Sequence, residues 1–154
     1  YLGCLGIGLS FAVGAQVAHP DRRVVCVTGD GAAGFNIQEF DTMVRHKLPI
    51  VTVILNNKAW GMCVHGQQSM YGGNRLVATV LGESRYDRVV EGFGGHGELV
   101  ESAGEVAQAM LRALDSGLPA CVNILTDLDA STSDKTEMTP DSEIEIPYYA
   151  NLKK

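Results

Sequence analysis

Two short, uninterrupted apolar runs constrain this chain more than anything else in it. They lie at 24–28 (VVCVT) and 50–55 (IVTVIL), and each ends abruptly in a small polar motif. Runs without polar alternation suit strands buried on both faces of a parallel sheet. The interval between them carries Ile37, Phe40, Met43 and Val44 at helical spacing over about 36–46. One helix between two strands is a crossover, so both strands run the same way. A third strand, 120–126 (ACVNILT), follows an amphipathic helix at 105–114 with Val106, Met110, Ala113 and Leu114 on one side. The pattern predicts an α/β fold, a three-layer sandwich around a mainly parallel central sheet.

The motifs ending the first two strands carry the chemistry. Gly29-Asp30-Gly31 follows one and Asn56-Asn57 the other, with 24 residues between Gly31 and Asn56. Parallel strands bring both motifs to the carboxyl edge of the sheet, where open α/β sheets bind ligands. On neighbouring strands, Asp30 and Asn57 converge on one ion, and a backbone carbonyl near Ala59 adds a third oxygen. An all-oxygen set suits magnesium, which shares its ligands among protein, water and phosphate. The loop 29–34 then supplies N–H groups near a helix start, a site for an anion. The pattern spells magnesium plus diphosphate. The structural alternative is a tight strand-to-helix turn at 29–31 and a polar strand end at 56–57.

Elsewhere, residues 4–18 predict a helix with a small-residue face (Gly6, Ser10, Gly14). Residues 58–84 predict a loop with one short helix, 85–93 a helix, and 97–100 a short strand. The net charge of -6 is local. Between Asp127 and Glu145 seven acids face one base, Lys135, so the rest of the chain is neutral. This predicts a folded domain over 1–128 and an acidic, extended tail over 129–154. An acidic pI near 5.1 argues against nucleic acid as partner. No run reaches the roughly 18–20 apolar residues of a membrane span. Cys4, Cys26, Cys63 and Cys121 form no C-x-x-C pair. They suggest a reducing compartment, the cytoplasm.

In these stretches the sequence resembles the thiamine-diphosphate-dependent enzymes, whose cofactor signature is GDG, a spacer in the middle twenties, then NN. The likeness runs through YLGCLGIGLSFAVGAQVA, the segment from VVCVTGDG to NNKAWGM, HGQQ and GLPACVNI. Within the family it most resembles benzaldehyde lyase and its relatives among 2-hydroxyacyl lyases, acetolactate synthases and 2-oxoacid decarboxylases. The resemblance implies that Asp30, Asn57 and the Ala59 carbonyl bind Mg²⁺, and that Gly31, Ala32 and Met62 contact the diphosphate. Gly3 matches a position that meets the aminopyrimidine. Leu5 matches the apolar wedge that bends the cofactor, or else is a plain helix-core leucine. Trp60, Met62 and His65 match the substrate-facing segment. His65 is a proton carrier or simply a hydrogen-bonded loop histidine; His19, His46 and His96 are assigned to the surface or to turns. Where many relatives have Ser after GDG, this chain has Ala32, which removes a hydroxyl contact. The Gly66 position is aromatic in some relatives, which opens the pocket here.

The family's chemistry requires an activating glutamate on a separate pyrimidine-binding domain, usually from a neighbouring subunit of a homo-oligomer. Nothing in this sequence matches that domain; Glu39 and Glu83 are candidates by residue type only. The expectation is therefore a pyrophosphate-binding portion truncated at its N-terminus, inactive alone. It belongs with an enzyme acting on a 2-oxoacid, aldehyde or 2-hydroxy ketone. A natural subunit of a split enzyme is the alternative. Outside this class stand a non-catalytic phosphate-binding module and a receiver-like scaffold in which Asp30 is only an acidic strand end.

Overall fold

The computed structural model describes residues 3–71 and 75–128. The acidic stretch expected to form a tail, 129–154, lies outside the described residues. Four parallel strands form one sheet in the order β1-β2-β4-β3: β1 (Val25–Gly29), β2 (Val51–Asn56), β3 (His96–Val100) and β4 (Ala120–Leu125). The helices are α1 (Ile7–Ala18), α2 (Asp30–Phe35), α3 (Glu39–Arg45), α4 (Gly61–Tyr71), α5 (Tyr86–Phe93) and α6 (Val106–Asp115).

Two cores flank the sheet, which gives the three layers their physical content. On one face Leu9 of α1, Phe40 and Met43 of α3 and Val90 of α5 pack with Ile50, Ile54 and Cys26. On the other, Ala109 and Ala113 of α6 pack on Val53, Val100 and Val122. Because α6 covers β3 and β4, the side chains of β1 on that face stay open, and Val27 is 63% exposed. Among the described residues no helix is long and apolar enough to cross a membrane.

Several elements differ from the sequence expectation, each for a local reason. The first helix begins at Ile7 rather than residue 4, because Gly6 sits at φ +85° in the left-handed region. A Cβ there would lie 2.7 Å from Phe35 Cβ, so this loop rests directly on the end of α2. The expected loop 29–34 is instead the short helix α2, beginning at Asp30 itself. A carboxylate in the first helical turn complements the exposed N–H groups and the dipole there. The helix expected from 36 begins at Glu39, after a turn closed by Glu39 N–H on Asn36 O (2.9 Å). In the segment 58–84, expected to be a loop with one short helix, that helix is α4 and runs for 11 residues. Only Val64 of it is buried, so no amphipathic period marks it in the sequence.

Candidate functional site

The pairing of β1 with β2 aligns Gly29 with Leu55, so Asp30, just after β1, and Asn56-Asn57, at the end of β2 and just beyond it, lie at the same edge of the sheet. Asp30 is 3% exposed, and its Oδ2 is buried without a hydrogen-bond partner among the described residues. Burial pushes its carboxyl above the ordinary value, while backbone N–H groups of Gly31, Ala59 and Lys58 pull it down. Leaving a buried charged oxygen unpaired costs about 1–3 kcal/mol or more. A bound cation would supply the missing partner.

The chain after β2 is shaped to offer further oxygens. Lys58 takes φ +60°, unusual for a side-chain-bearing residue, and reverses the backbone. Asn56 Oδ1 accepts Lys58 N–H and Asn57 Oδ1 accepts Ala59 N–H, both at 3.1 Å. The segment 79–81 then pins this turn: Trp60 N–H donates to Thr79 O (2.8 Å) and Leu81 N–H to Lys58 O (2.7 Å). Those bonds leave the Ala59 carbonyl outside them. Gly61 makes room for the Asn57 amide, since a Cβ at 61 would stand 2.7 Å from Asn57 Nδ2. Lys58 also pairs with Glu83 at the surface.

Among the described residues no three His, Cys, Asp or Glu side chains group together as a metal cluster. A metal here would draw on one carboxylate, one amide and one carbonyl, with its remaining positions left to water or phosphate. That is the donor set of a magnesium ion shared with a ligand. The residues present therefore fit the metal.

The other expected site residues fall around this centre. Gly31 lies under Trp60, whose ring meets Phe35 in a tilted contact, 5.4 Å between centroids and 48° between planes. Ala32 is half-buried in α2, and Met62, in the first turn of α4, is 81% exposed. Gly3 has φ +65°. Leu5 precedes α1 and is 57% exposed, which excludes the helix-core alternative for it. Asn36 ties this segment to the centre, its Nδ2 donating to Gly6 O at 2.9 Å. His65 sits on α4, not in a loop, with Nε2 3.2 Å from Leu128 O. Glu39 meets the Ser10 hydroxyl (3.4 Å) and Glu83 the Lys58 ammonium, both on the surface.

Sequence patterns did not mark Tyr86, whose hydroxyl donates to the backbone carbonyl of Asp30 at 2.9 Å, nor Gln67. The Gln67 amide clamps Val77 from both sides, Nε2 to Val77 O (3.1 Å) and Val77 N–H to Oε1 (2.8 Å). Tyr86 contacts a main-chain atom 56 residues away, which no spacing rule detects.

Residues 1–124 match the family described as thiamine pyrophosphate enzyme, C-terminal TPP binding domain. An acetolactate synthase large subunit from Mycobacterium tuberculosis is 50% identical over 125 residues, covering 81% of this chain and 23% of that protein. A human 2-hydroxyacyl-CoA lyase 2 is 38% identical over 128 residues, covering 80% of this chain and 20% of that protein. Among solved structures, a thiamine diphosphate-dependent 4-hydroxybenzoylformate decarboxylase from Rhodococcus jostii superposes with TM-score 0.74 at 32% identity. It covers 82% of this chain and 24% of that one. The site and the fold thus define a cofactor-anchoring α/β domain. The chain belongs to the thiamine pyrophosphate enzyme family, as its C-terminal cofactor-binding domain, and spans less than a quarter of the length of these relatives.

Proposed function

We propose that Asp30, Asn57 and the Ala59 carbonyl hold a magnesium ion that fixes the diphosphate of thiamine diphosphate, within an enzyme that makes or breaks C–C bonds next to a carbonyl. The carrying observation is the buried, unpartnered Asp30 Oδ2 beside the turn that offers Asn57 and Ala59. Backbone groups of Gly31, Ala32 and Met62 stand at the diphosphate, and Gly3 and Leu5 along the organic half of the cofactor. When bound, the cofactor supplies a nucleophilic carbon and an electron sink. This chain's own residues hold and orient it. Trp60, Met62 and His65 border the substrate, a 2-oxoacid, aldehyde or 2-hydroxy ketone.

Between lyase and synthase chemistry, the 50% identity to an acetolactate synthase favours carboligation of 2-oxoacids over a benzaldehyde lyase-like reaction. The activating carboxylate is assigned to a pyrimidine-binding domain contributed by a neighbouring subunit, since Glu39 and Glu83 are engaged on the surface. Four free cysteines suit a cytoplasmic setting. Calorimetry of the full protein with thiamine diphosphate, with and without Mg²⁺, tests the assignment. Binding should require Mg²⁺, and Asn57→Ala should weaken it at least about tenfold. Equal binding without the metal, or an unchanged Asn57→Ala variant, overturns it.

A further inference from the structure

The first two residues of α5 touch the supports of both halves of the site. Tyr86 donates its hydroxyl to Asp30 O at 2.9 Å, under the first motif. Asp87 is 2% exposed and begins a buried chain that reaches the second. Arg85 holds the Asp87 carboxylate with two nitrogens, Nε on Oδ1 (3.0 Å) and Nη2 on Oδ2 (2.6 Å). Asn123 Nδ2 of β4 donates to Asp87 Oδ1 at 3.1 Å, and Asn56 Nδ2 of β2 donates to Asn123 Oδ1 at 3.1 Å. Asn56 Nδ2 also donates to Ser84 O (3.2 Å), and Asn56 Oδ1 accepts Lys58 N–H.

The charge at one end and backbone groups at the other give this relay a single direction. An ionised carboxylate only accepts, so Asn123 must turn its NH₂ toward Asp87 and its oxygen toward Asn56. Asn56 must then present its own NH₂ to Asn123, which leaves its oxygen for the Lys58 amide. That bond holds Lys58 at its left-handed φ of +60° and thereby places Asn57 and Ala59. The Lys58 N–H and the Ser84 carbonyl orient the Asn56 amide the same way, so Asp87→Asn removes the charge that anchors Asn123 and loosens the relay from that end.

We infer that Tyr86 and Asp87 are positioning residues for the cation site: Tyr86 sets the Asp30 backbone, and Asp87, through Asn123 and Asn56, sets the turn that offers Asn57 and the Ala59 carbonyl. Neither residue touches the ion. The inference rests on the magnesium assignment above. Its signature is selectivity as well as affinity, because Mg²⁺ demands near-ideal octahedral geometry while Ca²⁺ tolerates irregular sites.

The test measures Mg²⁺ and Ca²⁺ dissociation constants in the full protein at saturating thiamine diphosphate, together with the melting temperature without cofactor. Tyr86→Phe and Asp87→Asn keep side-chain volume and should each weaken Mg²⁺ by about tenfold, and Ca²⁺ by less. Val100→Ala, a core truncation on the opposite face, should lower the melting temperature and leave the Mg²⁺-to-Ca²⁺ ratio unchanged. Equal weakening of both ions, or no weakening in either variant, overturns the positioning role. Asp30→Asn separates the two levels. If it abolishes Mg²⁺ binding while both α5 variants behave as wild type, only the positioning inference falls. If Asp30→Asn itself leaves Mg²⁺ binding intact, the metal assignment falls and takes the inference with it.

Discussion

The ring of Trp60 lies on the α-carbon of Gly31, so close that a Cβ at position 31 would stand 2.6 Å from both Cε3 and Cζ3. The second glycine of the first motif is thus fixed by the residue three places beyond Asn57 in the second. Gly31→Ala forces the indole away and breaks its packing on Phe35. Overpacking of this kind costs about 1–3 kcal/mol. Denaturant unfolding should show that loss, accompanied by weaker cofactor binding. A Trp60→Ala background should relieve most of the destabilisation, because the three atoms nearest that Cβ all belong to the ring.

On the proposed assignment, Asp30 trades stability for metal binding. Its carboxylate is desolvated and one oxygen is unpaired, so the metal-free protein bears a cost of order 1–3 kcal/mol at neutral pH. Asp30→Asn removes the charge and should raise the melting temperature of the metal-free protein while abolishing Mg²⁺-dependent cofactor binding. Scanning calorimetry with and without Mg²⁺ checks both halves. A variant that melts lower than wild type without metal contradicts the account of this carboxylate.

Asn56 and Asn57 are one letter repeated, and the fold gives them opposite tasks. Asn56 points into the sheet, fully buried on Asn123 and Ser84, and Asn57 faces the turn. Asn56→Ala leaves the Asn123 oxygen and the Lys58 amide without their partners, which predicts a loss of about 2–4 kcal/mol in stability. Asn57→Ala should cost far less stability and far more cofactor affinity. Parallel unfolding and binding measurements on the two variants give opposite rankings if this division holds.

The same contrast shows how much was legible beforehand. Uninterrupted apolar runs announced β1 and β2, and one intervening helix announced their parallel pairing, so the placement of both motifs at one edge of the sheet followed from topology. The sequence predicts a short helix within 58–84, but the bounds and 11-residue length of α4 were not legible, because a single side chain, Val64, is buried along it and leaves no period. Tyr86 and Asp87 were hidden for another reason. Their partners are a main-chain carbonyl and an amide 36 residues away on β4, which become neighbours only once α5 lies on the sheet. In the sequence Leu5 reads as helix core or ligand wedge, and the left-handed Gly6, which starts α1 only at Ile7, removes the first of these.

Asp87 also predicts a pH dependence. Burial alone would raise its carboxyl, but the Arg85 guanidinium and the Asn123 amide overcome this and hold it below the ordinary value. A carboxylate depressed in the folded state contributes stability above its unfolded pKa, and that stability is lost as pH falls through the folded value. Melting temperature should therefore drop on acidification below about pH 4. The drop should be shallower in Asp87→Asn, which starts less stable at neutral pH. Identical acid limbs in the two proteins would contradict the pairing.

The central claim is that one divalent cation sits between the two strand-end motifs. A crystal structure of the full protein with thiamine diphosphate and Mn²⁺ in place of Mg²⁺ tests it most directly, because the anomalous signal locates the ion. The account predicts a single peak about 2.1 Å from an Asp30 carboxylate oxygen, Asn57 Oδ1 and the Ala59 carbonyl, with the remaining positions on diphosphate and water. A peak elsewhere, or bound cofactor with Asp30 Oδ2 still uncoordinated, would contradict it.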